Sequence, residues 1–516
     1  MDAPLSVPSG PEAIHREKLA AAHRSPGGGL PSNVEYVRRA TAQGAERPAG
    51  VLRKPSRTLS GVAIVAVMTA PARCPHGRCT YCPGGLDRGS PQSYTGEEPS
   101  ALRGAQFRWD ARAIARHRIE TLEAIGHPTS KVEVIVMGGT FPSRPRPYQE
   151  EVLRGVYDGL NGSVSSSLAA AQAENERSEH RVVGLTVETR PDWCDDRVLP
   201  YLLDAGVTRV EIGVECLRDD VLAAVGRAHG VDEVVAATRA ARERGLKVGY
   251  HLMLGLPGTD PASDLADFRR LWAEPKFRPD FLKIYPTLVL PDTPLFDDWK
   301  AGRYLPYDAE QAAELLASMK AELPPWVRIH RIQRDIPARL IAAGVRSSNL
   351  RQLALERLAR RGQRCRCLRC REVGRGPTPP ADSFDIVRRS YEAAGGTEEF
   401  LSFEEPETDR VAGYLRLRFP SERTGERGAP GVAIVRELKV LGPEIDVGHA
   451  AAGPEQFQHR GFGRRLLEAA EESARAHGFD DLLVTSAVGT REYYRRRGYA
   501  ARGPYMARSW RGPTSG

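Results

Sequence analysis

Three cysteines in the first fifth of the chain are spaced so that they could bind one iron-sulfur cluster. Cys74, Cys79 and Cys82 form a C-x4-C-x2-C run directly after the apolar segment 62–69. Three thiolates can hold a 4Fe-4S cluster and leave one iron open, and the amino and carboxylate groups of S-adenosylmethionine can chelate that iron. One electron passed to the sulfonium would then release a 5′-deoxyadenosyl radical. The alternatives are zinc with a distant fourth ligand and a plant-type 2Fe-2S centre.

Polar residues at the ends of several predicted strands could bind the remaining parts of S-adenosylmethionine. Two glycines after a strand allow close backbone approach, so free N–H and C=O groups could hold the methionine amino group. Carboxylates and an arginine could hold the ribose hydroxyls and the methionine carboxylate. Structural salt bridges are an equal alternative for each charged residue taken alone. The residues are Gly138, Gly139, Thr140, Glu188, Arg190, Glu215, His251, Lys283 and Tyr285.

A second cysteine cluster lies among five arginines in residues 361–371. Cys365, Cys367 and Cys370 form a C-x-C-x2-C run, whose tight spacing favours a structural zinc ion rather than a second iron-sulfur cluster. His330 is a candidate for the fourth ligand, although a lone histidine near a strand is more often a hydrogen-bonded structural residue. The flanking arginines could equally bind phosphate.

The carboxyl-terminal part contains a short pattern typical of a coenzyme A site. Gln458, Gly461 and Gly463 form Q-x-x-G-x-G at the start of a predicted helix, where free N–H groups would bind a pyrophosphate. Tyr493 and Tyr494 follow on a short helix, where a phenol could protonate a leaving thiolate. This arrangement is similar to an acetyltransferase of the GNAT superfamily.

Short β-branched runs alternate with helical patterns through the first two thirds of the chain. This alternation predicts a parallel sheet with right-handed crossovers, arranged as a partial barrel with its cofactors at the carboxyl ends of the strands. Residues 163–180 lack apolar periodicity and are predicted to be a surface insertion. A proline-rich break at 374–382 precedes a smaller α+β pattern. The predicted strands are 132–137, 182–187, 208–214, 248–254, 282–287 and 327–332.

Four domains are therefore predicted. They are a basic arm at 1–60, an α/β partial barrel at 61–345, a small zinc-binding linker at 346–380 and an α+β domain at 381–516.

The composition is that of a globular protein with a moderate basic excess. The chain has 516 residues, a formal net charge of +8 and only eight cysteines, six of them in the two clusters. Such sparse, clustered cysteines indicate thiolate ligands in a reducing compartment, not a disulfide scaffold. No apolar run approaches a bilayer span, so we expect a cytoplasmic protein without a membrane. The charge fits a polyanion such as RNA as well as it fits a solvated basic surface.

Several longer stretches resemble the Elongator protein 3 family, the catalytic subunits of Elongator. The resemblance covers about residues 54–506 and implies a (β/α) radical-SAM barrel followed by a GNAT domain. The stretches that carry it are 74–85, 92–99, 137–141, 188–192, 283–287, 333–337, 436–438 and 457–463.

The resemblance implies that tRNA is the substrate and that a carboxymethyl group is built on carbon 5 of its wobble uridine. Acetyl-CoA would supply the acetyl group, the anticodon stem-loop would bind, and accessory Elongator subunits would not be required. Tyr494, Tyr493 and Lys283 would be catalytic. The family has a lysine for acetyl-CoA where this chain has Glu123. The implied acetyl-CoA site comprises Glu437, Leu438, Lys439, Val440, Gln458, Gly461, Phe462, Gly463, Arg464 and Tyr494.

This mechanism requires the acetyl group to come within reacting distance of the radical. We therefore expect the acetyl-CoA pocket to open toward the mouth of the barrel, or else a large domain movement. A second hypothesis is a protein lysine acetyltransferase in which the iron-sulfur cluster is only structural. A third is a scaffold whose two domains are vestigial, which the complete cysteine and Gln458–Gly463 motifs disfavour.

Overall fold

The computed structural model describes residues 15, 16, 18–20, 58–420, 432–445 and 457–510. Residues 15, 16 and 18–20 are helical, and the rest of the predicted basic arm up to residue 57 lies outside the described residues. Two seven-stranded sheets organise the remainder, one for each predicted catalytic domain.

The first sheet is a parallel half-barrel whose strands follow chain order. Its strands pair β1 to β7 in sequence, all parallel, as crossovers through helices require. The prediction of a partial barrel is confirmed. The strands are β1 (Ala63–Met68), β2 (Lys131–Met137), β3 (Arg181–Thr189), β4 (Arg209–Glu215), β5 (Lys247–Leu254), β6 (Phe281–Pro286) and β7 (Arg328–Ile332).

Helices cover the outer face of this sheet and bury its β-branched residues. Val65, Val134 and Val210 are fully buried beneath them. The helices are α1 (Pro99–Gln106), α2 (Ala111–Ala124), α3 (Arg146–Asn161), α4 (Leu168–Asn175), α5 (Leu199–Asp204), α6 (Asp219–Ala224), α7 (Val231–Glu243), α8 (Pro261–Ala273), α9 (Pro294–Lys300) and α10 (Ala309–Ala321).

Helix α4 corrects the prediction that residues 163–180 are only a surface insertion. Ser167 caps the helix through the N–H of Ala170, and Asn175 is fully buried. The Asn175 amide donates to Asn161 Oδ1 at 2.7 Å and to the His180 carbonyl at 3.1 Å. Alanine-rich helices bury little apolar side chain, so the sequence showed no clear periodicity.

The second sheet has the order β13-β14-β12-β11-β10-β9-β8, and only its β11–β12 pair is parallel. Two short helices, α11 (Leu350–Arg360) and α12 (Leu368–Arg371), connect the half-barrel to this sheet. The strands are β8 (Asp385–Ala393), β9 (Gly396–Glu405), β10 (Arg410–Phe419), β11 (Val432–Val440), β12 (Asp481–Val484), β13 (Ala500–Arg502) and β14 (Tyr505–Ser509), with helices α13 (Phe462–Ala476) and α14 (Arg491–Arg495).

Candidate functional site at the two ends of the half-barrel

The three predicted cluster cysteines lie in the loop after β1, at the carboxyl ends of the strands. Cys79 and Cys82 are buried and Cys74 is partly exposed. Arg190 Nη1 lies 4.0 Å from the Cys74 sulfur, and Arg227 Nη1 lies 3.9 Å from the Cys79 sulfur. Two guanidinium groups beside the sulfurs favour thiolates, which are the ligands that iron requires.

The arrangement of these sulfurs fits a cluster better than a single ion. Burial raises the pKa of Cys79 to about 11, although Arg227 opposes the shift. A thiol of this kind becomes a thiolate at neutral pH when a cation binds it. Among the described residues, Cys74, Cys79 and Cys82 do not form a group whose sulfurs all lie within 4.8 Å, which a single ion would require. Three irons of one cluster accept ligands that lie farther apart.

The glycines and Glu188 meet at the same edge of the sheet, as predicted. Gly138 and Gly139 have φ values of +125° and +100°, and a Cβ at Gly138 would meet Thr69 Oγ1 at 2.2 Å. The N–H of Gly138 donates to Glu188 Oε2 at 3.2 Å. Thr140 Oγ1 lies 3.7 Å from the Cys74 sulfur, so this turn touches the cysteine loop.

Lys283 lies at the same edge, held by two carboxylates. Its ammonium group pairs with Glu211 and lies 3.8 Å from Glu188 Oε1. His251 Nε2 lies 3.1 Å from the same Glu211 carboxylate. Burial lowers the pKa of Lys283, but Glu211, Tyr285 and Glu188 raise it more, so the group stays charged. The carboxyl end therefore presents a fixed cation beside the proposed S-adenosylmethionine pocket.

Glu215 and Arg190 are partly occupied by structural partners. Glu215 Oε1 pairs with Arg227 at 3.5 Å, and Arg190 Nε donates to Asp192 Oδ1 at 2.9 Å. Each also lies close to the cysteine loop, so the predicted cofactor role and the observed structural role concern the same side chains. Arg227 was missed by sequence reasoning, because nothing in its local sequence marks a residue 148 positions from Cys79 as a neighbour.

A cavity of about 790 Å³ lies where the second sheet meets the half-barrel. Tyr493 Oη is buried and has no hydrogen-bond partner, and it lies 2.9 Å from where a Cβ on Gly463 would stand. A bound ligand would satisfy this hydroxyl, so the cavity fits acetyl-CoA. The predicted residues that line it are Glu437, Leu438, Lys439, Val440, Gln458, Gly461, Gly463, Arg464, Tyr493 and Tyr494.

One predicted acetyl-CoA residue, Phe462, does not line the cavity, and another, Gln458, lines it and also joins the two domains. The Phe462 side chain is buried against Phe403 and Phe457 and does not line the cavity, because the first turn of α13 points it into the core. The Gln458 amide joins the domains: its Oε1 accepts from Lys131 Nζ at 2.7 Å and its Nε2 donates to the Gly61 carbonyl at 3.2 Å.

The cavity opens onto the amino ends of the half-barrel strands, opposite the cysteine loop. Lys131, Arg181 and Lys247, the first residues of β2, β3 and β5, line it together with Glu133. The expectation that the acetyl-CoA pocket opens toward the mouth is therefore wrong. A seven-residue strand spans about 20 Å, which separates the two pockets.

Polar side chains inside the half-barrel connect the two ends. Lys439 Nζ donates to Glu133 Oε1 at 2.6 Å, and Glu133 Oε2 lies 3.5 Å from Arg209. Arg209 Nε donates to Thr186 Oγ1 at 2.7 Å, and Glu211, two residues farther along β4, pairs with Lys283. The barrel interior is thus a column of paired charges rather than an apolar core.

Comparison with known proteins agrees with this architecture. Family models match the Radical SAM superfamily at residues 69–270, the Radical_SAM C-terminal domain at 279–360 and the acetyltransferase (GNAT) domain at 454–510. The "tRNA uridine(34) acetyltransferase" of Methanocaldococcus infernus is 45% identical over 494 residues, covering 93% of this chain and 92% of that protein. Human "Elongator complex protein 3" is 46% identical over 470 residues, covering 88% and 85%.

The chain belongs to the Elongator protein 3 family. The structure of M. infernus Elp3 lacking residues 1–46 is 40% identical, with a TM-score of 0.78, and covers 88% of this chain and 100% of that one. The Radical SAM domain of this chain implies a 4Fe-4S cluster with S-adenosylmethionine, and its GNAT domain implies acetyl-CoA. The protein is therefore an acyl-transferring enzyme. Within the described residues, no helix is long and apolar enough to cross a membrane.

The second cysteine cluster has the geometry of a metal site. The sulfurs of Cys365, Cys367 and Cys370 all lie within 4.8 Å of one another, which fits one zinc ion. Lys320 Nζ lies 3.2 Å from the Cys365 sulfur and 3.7 Å from the Cys370 sulfur. No local sequence pattern marks this lysine as a neighbour of the cluster, because it precedes Cys365 by 45 residues.

His330 is not part of the second cluster, so the suggestion that it is the fourth ligand is not supported. Its ring stacks on Phe281 with the centroids 4.3 Å apart. Burial and the nearby Arg209 hold its pKa well below the usual range. His330 is thus a neutral ring facing the barrel interior, as strand alternation at β7 places it.

Lys131 is one of the lysines that line the proposed acetyl-CoA cavity, and Glu123 does not line it. Glu123 Oε1 accepts from Thr129 Oγ1 at 2.7 Å and lies 3.7 Å from His180, whereas Lys131 lines the cavity. Lys131 Nζ donates to the Gln458 side-chain carbonyl at 2.7 Å and to the Ile445 backbone carbonyl at 2.6 Å, so this lysine stands in the cavity wall with partners of its own.

Proposed function

We propose that this protein builds the 5-carboxymethyl group on the wobble uridine, position 34, of tRNA from acetyl-CoA by radical chemistry. The observation that carries the proposal is that one chain joins a three-cysteine loop and a coenzyme A cavity through the polar interior of a single half-barrel. The names of the archaeal relatives give the substrate. The alternative of a protein lysine acetyltransferase needs neither the cysteine loop nor the fixed charges at its edge.

The residues at the carboxyl end would hold and orient the radical source. Cys74, Cys79 and Cys82 would bind the cluster, and Gly138 with Glu188 would position the methionine amino group and the ribose. When bound, the cluster and S-adenosylmethionine supply a 5′-deoxyadenosyl radical, which takes hydrogen from the acetyl methyl group. The charged Lys283, held at this end by Glu211 and Glu188, would bind the acetyl oxygen while the new carbon–carbon bond forms.

The residues at the amino end would bind and release coenzyme A. The first turn of α13 follows Gly461, which has a φ of +85° and lines the cavity, and the N–H groups of this turn would bind the pyrophosphate of coenzyme A. Tyr494 lines the cavity, and burial raises its pKa above the usual range, so its phenol keeps its proton at neutral pH. Water that attacks the thioester carbonyl would expel the coenzyme A thiolate and leave the acetyl group as acetate, and Tyr494 can donate its proton to that thiolate.

We infer that the acetyl group crosses the interior of the half-barrel rather than waiting for the domains to separate. Arg436 of β11 pairs with Asp280 next to β6 and with Glu398 of β9, at 2.8 Å and 2.6 Å. All three side chains are at most 1% exposed. Separating the domains would expose these paired charges or strand them without partners, which is costly.

Further parts of the proposal concern partners and the linker. The anticodon stem-loop would enter at the carboxyl ends, where the radical forms. Zinc would be held by Cys365, Cys367 and Cys370 in the linker 346–380. The basic arm (1–60) and the radical-SAM domain (61–345) would precede this linker, and the GNAT domain (381–516) would follow it. We propose that the protein works in the cytoplasm without accessory subunits.

The test is an anaerobic reaction of the reconstituted protein with dithionite, S-adenosylmethionine, acetyl-CoA and unmodified tRNA. Nucleoside mass analysis should show a carboxymethyl gain on the wobble uridine only when every component is present. Unmodified uridine together with acetyl on a protein lysine would reject the proposal in favour of a lysine acetyltransferase.

A further inference from the structure

The linker contains a second, strongly basic pocket, separate from both ends of the half-barrel. It has a volume of about 410 Å³ and lies between α11, the second cysteine cluster and the turn before β10. One carboxylate faces six guanidinium groups there. The charged residues that line it are Arg351, Arg364, Arg369, Arg371, Arg375, Arg410 and Asp409.

Individual nitrogens of these guanidinium groups lack partners, although other nitrogens of the same groups are bonded. Arg351 Nη1 and Arg375 Nη2 are buried without a hydrogen-bond partner. No carboxylate lies within ion-pair distance of Arg369 in the part of the chain that the structure describes. Buried polar hydrogens are rarely left unsatisfied, so their convergence on one cavity indicates an anionic ligand.

The protein's own anions are too few to satisfy the pocket. Asp409 is already shared by Arg364, Arg366 and Arg371. Glu372 accepts from Arg375 Nε at 2.6 Å and leaves Nη2 free. Three thiolates on one zinc ion would add a single net negative charge. Glu404 also pairs with Arg371. Six guanidinium groups therefore have three carboxylate partners and the single negative charge of the zinc site, and a positive excess remains.

The surrounding linker favours a polyanion over a small free anion. Residues 346–380 contain ten arginines, two glutamates and no other Lys, Asp or Glu, a formal net charge of +8, which equals that of the whole chain. Arg364 and Arg366 extend the basic surface outward from the pocket, with side chains 67% and 47% exposed. Arginine binds phosphate oxygens in a bidentate manner, which lysine cannot do.

We propose that the linker pocket binds a backbone phosphate of the RNA substrate, at a distance from the modified base. Arg351, Arg369 and Arg375 would donate to the phosphate oxygens, and the contact would fix the orientation of the RNA without reading its sequence. The assignment of RNA as the ligand rests on the proposed function.

The first test compares tRNA affinity and its salt dependence in the full-length, zinc-loaded protein. The double variant Arg351→Gln/Arg369→Gln should weaken binding about tenfold and lower the slope of log K against log salt by about 1 to 2, because phosphate contacts release counterions. Arg360→Gln, an exposed linker arginine outside the pocket, is the matched control and should change neither value strongly. Zinc content and acetyl-CoA binding check that the double variant is folded. An unchanged affinity and slope would overturn the proposal.

A second test does not depend on removing any arginine. A photo-crosslinking amino acid at Gln363, which lines the pocket, should crosslink to bound tRNA, whereas the same group at Gln352, exposed on α11 outside the pocket, should not. Failure at Gln363 with tRNA bound would overturn the proposal, as would binding of free pyrophosphate that tRNA does not displace. A crosslink without a carboxymethyl product would leave the pocket intact and reject the proposed reaction, so the two failures are distinguishable.

Discussion

At the scale of single residues, the cysteine loop separates radical chemistry from acetyl-CoA binding. Cys79 lies about the length of one strand from the acetyl-CoA cavity. A substitution of Cys79 should therefore affect only the site at the carboxyl ends of the half-barrel strands. We expect Cys79→Ala to lose the absorbance of the iron-sulfur cluster, the reductive cleavage of S-adenosylmethionine and the tRNA product, while its dissociation constant for acetyl-CoA stays within twofold of the parent value.

Cys194→Ala is the matched control for this variant. Cys194 is as deeply buried as Cys79 but lies outside both cysteine clusters, against the Ala237 carbonyl. It should keep the cluster and the product. Product formation by Cys79→Ala at the parent rate would contradict a role for the cluster in the reaction.

A second residue, Asp264 on α8, predicts a pH dependence of stability. Its carboxylate accepts from the Gly255 N–H at 2.7 Å and from Tyr307 Oη at 2.9 Å, but burial outweighs these bonds and raises its pKa from 3.8 to about 6. A raised folded-state pKa means that the neutral form stabilises the fold. This stabilisation is present below pH 4 and is lost as the pH rises through 6, at about 1.4 kcal/mol per pKa unit.

Asp264→Asn should remove that dependence, since an amide oxygen can accept the same bonds and carries no charge. The free energy of unfolding of the variant, relative to the parent, should rise by roughly 2.4 kcal/mol between pH 4 and pH 7. Urea unfolding at the two pH values measures this, with Asp297→Asn, an exposed carboxylate on α9, as the control for loss of charge. An equal difference at both pH values would show that burial does not perturb Asp264.

At the scale of elements, local patterns predicted the strands and the motifs beside them. The β-branched runs predicted the bounds of β2 to β7 to within about two residues. A strand whose outer face is covered by helices is rich in β-branched residues at any position in the sheet, so the local sequence is enough to find it. The cysteine and glycine motifs were found for the same reason: their members are neighbours in sequence. Helix α4 was missed because alanine gives no apolar stripe.

Contacts between distant elements could not be predicted in this way. Lys320 reaches the second cysteine cluster from α10, and Arg227 reaches Cys79 from the loop after α6. Which end of the half-barrel faces the acetyl-CoA cavity depends on how the two domains dock. That docking is decided by pairs such as Arg436 and Asp280, which are 156 residues apart. No local periodicity records such a pairing.

Helix α7 and strands β9 to β11 meet in a buried ionic network that holds the two domains together. Arg436→Met should destabilise the protein by about 3 to 5 kcal/mol, because Asp280 and Glu398 would remain buried with fewer positive partners. The matched variant Arg388→Met breaks the pair with Glu399, in which the arginine is 44% exposed, and should cost under about 1 kcal/mol. Urea unfolding measures both. A cost for Arg436→Met as small as that of the control would remove the argument that the domains stay docked.

At the scale of the whole molecule, the proposed reaction requires an acetyl group to pass from one pocket to the other across the half-barrel, and substitutions of Gly184 test this route. Gly184 is on β3 between the pockets, and a Cβ there would lie 3.1 Å from Glu133 Cγ in the barrel interior. In the series Gly184→Ala and Gly184→Val, tRNA carboxymethylation should fall progressively, by more than tenfold for valine, because the added methyl groups occupy the path. S-adenosylmethionine cleavage, measured at the carboxyl end, should stay close to the parent value. Acetyl-CoA affinity, measured at saturating and limiting acetyl-CoA, reports any displacement of Glu133 in the cavity wall, and the melting temperature reports any loss of packing. If the valine variant forms product at the parent rate, the acetyl group does not cross the interior, and transfer must instead require a movement that breaks the network around Arg436.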